Sequence, residues 1–323
     1  MLRQKSRRLR VPAVTSRHMF KAIDTPRGAF IAMLVGAALI STTSIFVRYA
    51  HVAPTVSAFY RTAFGGLILL FGLLAFGRWR RLQTRDLVWL LLPAFLFALD
   101  LSIWHRSIHD IGPGLATLLG NFQVFVMALA GVWFFHERLG WRFLAGLGLA
   151  LFGVWLLVGL DWSHASSDYR RGVILGIVTG IAYAGYMLAT RYVQNGRIGL
   201  DSAQQLCVTS LLCALILALT VLVEGESFSI PDGQSWGALL GLGVVGQVLG
   251  WLLLVRAIPQ LPPSLIGLLL LLQPSLSFVL DVLLFQRPTV AFDWIGVTLS
   301  LFGIFIGTSR KARVALPLSA TVE

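Results

Sequence analysis

Long apolar runs alternate with short polar links along almost the whole chain, and this alternation dominates the sequence. Ten runs reach membrane-spanning length, each about 18–24 residues against the ~20 that a helix needs to cross hydrocarbon. They cover 29–50, 54–76, 87–109, 112–135, 141–160, 172–193, 203–223, 235–258, 262–285 and 290–308. None alternates with period two, so the pattern predicts helices and no strands. The expected fold is an all-α integral membrane protein of ten transmembrane helices.

The runs also repeat. At an offset of 150, Pro113 reappears as Pro263, Gln123 as Gln273, Phe135 as Phe285, Gly146 as Gly296, and Phe152-Gly153 as Phe302-Gly303. Near the starts of the halves, Arg27-Gly28 and Gly36 match Arg171-Gly172 and Gly180 at offset 144, and Arg48-Tyr49 matches Arg191-Tyr192. Five spans per copy is an odd number, so the second copy enters the membrane from the other side. The halves are therefore expected to be inverted about an axis in the membrane plane, an architecture of secondary transporters whose site lies between the repeats. The predicted organisation is a basic tail at 1–27, a first repeat at 28–160, a linker at 161–171, a second repeat at 172–309 and a tail at 310–323.

Composition agrees with a life in lipid. Of the 323 residues, 57% are apolar and only 12% charged, about half the charged share of a soluble domain; the mean hydropathy is +0.80. Twenty of the 26 lysines and arginines fall on one side if both termini are cytoplasmic, which predicts that orientation in a bacterial inner membrane. The net charge of +12 follows from this bias and does not call for nucleic acid; the basic tail points to anionic lipid headgroups. The first apolar run is too long for a cleaved signal, and Met19 offers a second translation start. Cys207 and Cys213, six apart on one helix, face different directions and cannot bridge.

Small residues at four-residue spacing, Gly172, Gly176 and Gly180 in the sixth span and Gly303 and Gly307 in the tenth, predict tight helix packing. Pro113 and Pro263 sit at helix starts. Pro274 is mid-span and predicts a bend in the ninth helix; with Val124 at the matching place, the bend is expected in one repeat only.

Polar side chains in hydrocarbon need a partner or a wet cavity. Counting about 1.5 Å per residue brings Thr42, Thr43, Asp100, Trp104, Asn121, Gln123, Tyr183, Tyr186, Gln247, Trp251 and Gln273 to mid-membrane. Asp100/Trp104, Thr117/Asn121 and Gln247/Trp251 share faces at i,i+4. Amides, hydroxyls and aromatic faces at one depth describe a site for a small amphipathic solute; each residue taken singly could instead glue helices together. Arg61 and Asp281 both lie in the outer half, within reach of a structural or gating ion pair. Asp100 could alternatively pair with Arg61 or His105, or carry a proton. Enzyme chemistry finds no support: no His-Glu-x-x-His pair, no phosphate-binding loop and no intramembrane lysine. No metal or cofactor is expected.

Several stretches resemble the drug/metabolite transporter superfamily in its doubled, ten-helix EamA type. They are Ala58-Phe59-Tyr60-Arg61, Leu118–Gln123, Phe135-His136-Glu137-Arg138-Leu139 with Gly146, Gly148 and Gly153, then Gln273-Pro274 and Phe285-Gln286-Arg287-Pro288 with Gly296 and Gly303. Together they cover residues 28 to 308. The resemblance implies export of small metabolites, amino acids or related compounds by alternating access, with the fifth and tenth helices peripheral. Members usually keep a glutamate after both the fourth and ninth helices; Glu137 keeps it here, and Arg287 stands in the second place. Uptake of a different metabolite and a non-transporting membrane receptor are the alternatives. Doubling supplies both halves of a pathway, so a monomer suffices; a homodimer is not excluded.

Overall fold

The computed structural model describes residues 25–158, 166–195, 198–286 and 289–308. The N-terminal tail up to residue 24, residues 161–165 of the 161–171 linker, Arg287 and the tail 310–323 lie outside the described residues. Among the described residues, eight helices are long and apolar enough to cross a membrane: Pro26–Tyr49, Pro54–Ala75, Thr84–Ile111, Pro113–Phe135, Ser167–Gln194, Ser202–Glu224, Gly233–Gln260 and Pro263–Phe285. Two shorter apolar helices, Trp141–Val158 and Ala291–Thr308, complete ten, numbered here as spans in chain order. The face that carries Pro26 and Thr308 is called the tail face, and the other the far face.

Local sequence explains how most spans begin. Thr25, Ser166, Asp201 and Asp232 each accept from a backbone N–H of the first turn, satisfying donors that a helix leaves orphaned. Proline at the first turn of the second, fourth and ninth spans removes a donor that had no acceptor.

The two halves are inverted copies, and backbone details repeat with them. The fourth and ninth spans both end in a left-handed residue, His136 (φ 52°) and Gln286 (φ 51°), the two non-glycine residues of positive φ among the described residues. They are 150 apart. The fifth and tenth spans cross beside the bundle at glycines that the repeat relates. A Cβ added to Gly146 would lie 2.5 Å from the Gly303 carbonyl oxygen, and one added to Gly153 would lie 2.4 Å from that of Gly296. Because 146 corresponds to 296 and 153 to 303, these are one contact seen twice. Ser300 Oγ donates to the carbonyl of Ala150 at 2.9 Å, and that pair, again 150 apart, marks where the pseudo-two-fold axis passes.

Four spans are irregular at mid-membrane, and each has a local cause. In the first, helix stops at Ser41 and resumes at Thr43. The hydroxyls of Ser41, Thr42, Thr43 and Ser44 each donate to the carbonyl three residues back, competing with the backbone ladder. The ninth breaks at Leu271, just before Pro274, which has no N–H to give; Ser275 Oγ donates to the Leu271 carbonyl at 3.2 Å. The fourth breaks at the matching place, between Gly120 and Gln123, so both repeats interrupt this helix, where Pro274 alone led to an expectation of irregularity in one repeat only. Asn121 does there what proline does in the other copy: its Nδ2 captures the Thr117 carbonyl at 2.6 Å, and the backbone tightens to i→i−3 bonds at Asn121 and Phe122. In the eighth span, residues Leu242–Gly250 form a π-helix, a wider turn that often occurs at functional sites.

The crossing of the fifth and tenth spans gives a direct test. Gly146→Leu drives a side chain into the Gly303–Gly307 backbone and is expected to cost about 1–3 kcal/mol, read as a lower unfolding midpoint in detergent. Gly148→Leu, where nothing lies within 4 Å of an added Cβ, should leave the midpoint unchanged. Equal loss in both would refute the tight crossing.

Candidate functional site

The irregular segments surround a cavity of about 40 Å³ at the centre of the bundle, large enough for a few water molecules. Its wall includes Ile40 from the first span, Arg61 from the second, Phe97, Asp100, Leu101 and Trp104 from the third, and Thr117, Gly120 and Asn121 from the fourth. Thr179 and Tyr183 from the sixth, Trp251 from the eighth and Gln273 from the ninth complete it. Both repeats contribute, and the fifth and tenth spans do not.

An arginine and an aspartate face this space. Arg61 is almost fully buried, with its guanidinium carbon 5.8 Å from the centre of the Trp104 ring. Asp100 is buried on the third span, where Thr179 Oγ1 lies 3.0 Å from its Oδ1 and 2.8 Å from its backbone carbonyl. No ion pair joins Arg61 and Asp100 among the described residues. Gln273 Nε2 donates to the Tyr183 hydroxyl at 3.3 Å. Arg61 Nε, Asn121 Oδ1 and Trp251 Nε1 are buried and make no hydrogen bond to protein. Buried polar groups rarely stay so, and three of them bordering one small cavity make it a candidate polar binding surface.

Behind the cavity stands an aromatic wall. Phe97 stacks on Tyr186 with centroids 4.4 Å apart and planes at 13°, and the edge of Trp251 meets Phe97, Tyr183 and Tyr186 at 5.0, 5.9 and 4.9 Å. These contacts fix the indole so that one side forms the cavity lining. His105, also fully buried, turns away from the space, its Nδ1 2.6 Å from Ser57 Oγ.

Of the mid-membrane polar set, Asp100, Trp104, Asn121, Tyr183, Trp251 and Gln273 reach the cavity. Thr42 and Thr43 do not; their hydroxyls are held by Leu39 and Ile40 of their own helix. Gln123 donates toward the Gly267 carbonyl at 3.4 Å and joins the fourth span to the ninth. Gln247 lies in the π-helical stretch and donates to Ser210 Oγ at 2.8 Å, because the wider turn alters the register on which i,i+4 spacing shares a face with Trp251. Tyr186 is the layer behind Phe97 and Trp251. Thr179 and Phe97 escape a reading by polarity and depth, although both are in register with residues it found: Thr179 precedes Tyr183 by four and Phe97 precedes Asp100 by three.

The expected Arg61–Asp281 pair does not form. Arg61 faces the cavity, and Asp281 pairs with Arg48 at 3.5 Å, because depth along a helix does not specify direction around it. Glu137 accepts from Ser264 Oγ at the tail face. The far face is tied by Arg106–Glu224, by Arg171–Asp110 at 2.7 Å and by His51–Asp232 at 2.9 Å. Asp232, outside the spans, is held below the usual carboxylate range by the Ser235 backbone N–H and by His51.

Comparison with known proteins agrees with this architecture. An uncharacterized transporter of Bacillus subtilis, YwfM, is 23% identical over 292 residues, covering 88% of this chain and 95% of that protein. A probable amino-acid metabolite efflux pump of Escherichia coli is 23% identical over 204 residues, covering 60% of this chain and 66% of the pump. One solved crystal structure superposes with a TM-score of 0.72 at 19% identity, over 87% of this chain and 98% of that one, a likeness of fold. Residues 27–159 and 170–308, one segment in each half, match the EamA-like transporter family. The chain belongs to the EamA-like transporter family.

Proposed function

We propose that this transporter carries small zwitterionic solutes, amino acids or close analogues, through the central cavity, and that it exports them across a bacterial inner membrane with both tails in the cytoplasm. The observation that carries this reading is the pair of opposite charges in one cavity. Arg61 and Asp100 border the same space with no ion pair formed between them. A carboxylate against Arg61 and an ammonium against Asp100 would satisfy both, while Asn121 and Gln273 offer amide groups between them. The guanidinium suits a carboxylate because its donors form a planar fork. Trp104, Tyr183 and Trp251 leave apolar faces for a side chain. The neighbouring name of an amino-acid efflux pump supports the substrate class and the direction, and the excess of lysine and arginine on the tail face supports the orientation.

A cavity with room for a few waters represents a closed stage of the cycle, and the solute must open it. The interruptions at Thr42, Asn121 and Leu271 and the π-helical stretch place adjustable backbone around the site, as alternating access requires.

The test is counterflow in liposomes with three matched solutes: an amino acid, its decarboxylated amine and its deaminated acid. The amino acid should exchange at least about tenfold better than either partial analogue, the equivalent of ~1.4 kcal/mol for each lost charge contact. Arg61→Gln should narrow the gap between amino acid and amine, and Asp100→Asn the gap between amino acid and acid. Equal exchange of all three, or exchange of the amine alone, would contradict the zwitterion site.

A further inference from the structure

Each face of the bundle carries an arginine packed on a phenylalanine, and the two sets are related by the repeat. At the far face, the Arg48 guanidinium lies 4.3 Å from the centre of the Phe285 ring. At the tail face, the Arg191 guanidinium lies 5.2 Å from the centre of the Phe135 ring. Arg191 is the repeat partner of Arg48, and Phe135 that of Phe285. Each contact joins one half to the other: the first span to the ninth at the far face, and the sixth to the fourth at the tail face.

Each set also contains a carboxylate, reached by a different route. At the far face it is Asp281, on the ninth helix itself, 3.5 Å from Arg48. The position matching Asp281 in the other half is Gly131. A Cβ there would lie 2.7 Å from Glu137 Oε2, so the Glu137 carboxylate fills the place where an acid at 131 would begin. The left-handed turn at His136 folds it back, with the Glu137 N–H donating to the Gly131 carbonyl at 2.9 Å; among the described residues no ion pair joins it to Arg191, whose guanidinium donates to the Ile258 carbonyl at 2.7 Å and to that of Leu261.

We propose that Arg48–Phe285–Asp281 and Arg191–Phe135–Glu137 are matched latches, opened one at a time in the transport cycle. Asp281 supplies at the far face the acid that Glu137 supplies at the tail face. The latches differ in their second fastenings. Ser44 and Ser277 meet at 2.5 Å one helical turn below the far latch, and Ser264 bonds Glu137 at the tail face. These are positioning residues; none borders the cavity.

The proposal rests on the carrier reading, and the test separates the two. A cavity cysteine, Leu101→Cys with Cys207 and Cys213 replaced by alanine, is labelled with an impermeant thiol reagent in vesicles of uniform orientation, without solute. Phe285→Ala should raise labelling from the far face about five-fold, the worth of one cation–π contact, and lower it from the tail face. Phe135→Ala should do the reverse. If either alanine variant fails to fold, Arg48→Asp and its rescue by Asp281→Arg give the same readout: the single variant exposes the far face and the double variant closes it. Labelling that does not change, or that moves toward the same face in both alanine variants, overturns the latches even where counterflow persists. Opposed labelling shifts without counterflow of any solute would retain the latches and remove the carrier assignment.

Discussion

Within hydrocarbon every backbone N–H and C=O must find its partner inside the protein, and the central cavity of this transporter exists because the chain breaks that rule locally and repairs it. Three spans interrupt their helices at mid-membrane. In each, nearby polar side chains take over what the ladder gives up: the Ser41–Ser44 hydroxyls in the first span, the Asn121 amide in the fourth and Ser275 beside Pro274 in the ninth. The eighth reaches a similar end with a π-helical turn. Regular helices would pack into a solid bundle. The interruptions gather around one point, and the cavity with its buried charges lies there.

The inverted repeat explains why the interruptions meet. A two-fold axis in the membrane plane brings the fourth and ninth spans together at matching depth, and it passes close to Ala150 and Ser300, where the peripheral helices cross. Function needs the symmetry to be incomplete. Asp100 corresponds to Gly250 and Asn121 to Leu271, so the arginine and the aspartate of the wall, Arg61 and Asp100, come from the first half, while Thr179, Tyr183, Trp251 and Gln273 come from the second. The same departure occurs at the faces, where the two latches obtain their acids from non-equivalent positions.

Much of this was legible in the sequence. The offset of 150 between Pro113 and Pro263 or Phe135 and Phe285 carries the doubling, and counting spans carries the inversion. Depth and i,i+4 spacing bring Asp100 and Trp104 to the cavity because the third helix is continuous there, and Asn121, the residue just after the helix ends at Gly120, still keeps the register set by Thr117. Direction around the axis was not legible where the helix is irregular: Gln247, in the π turn, meets Ser210, and Thr42 and Thr43 serve their own backbone. Arg61 illustrates the same limit. Its depth suited a pair with Asp281, but the partner of Asp281 is set by which faces of the first and ninth spans touch, a tertiary fact. The break in the fourth span needed no proline, and a search for proline alone could not have located it.

The most direct test of the central claim is a structure determined with a bound amino acid. The account predicts density between Arg61 and Asp100, with the carboxylate toward the guanidinium and the side chain against Trp251. Density elsewhere, for instance in the surface groove beside Phe46, Tyr49 and Gln234, with the central cavity still closed, would contradict it.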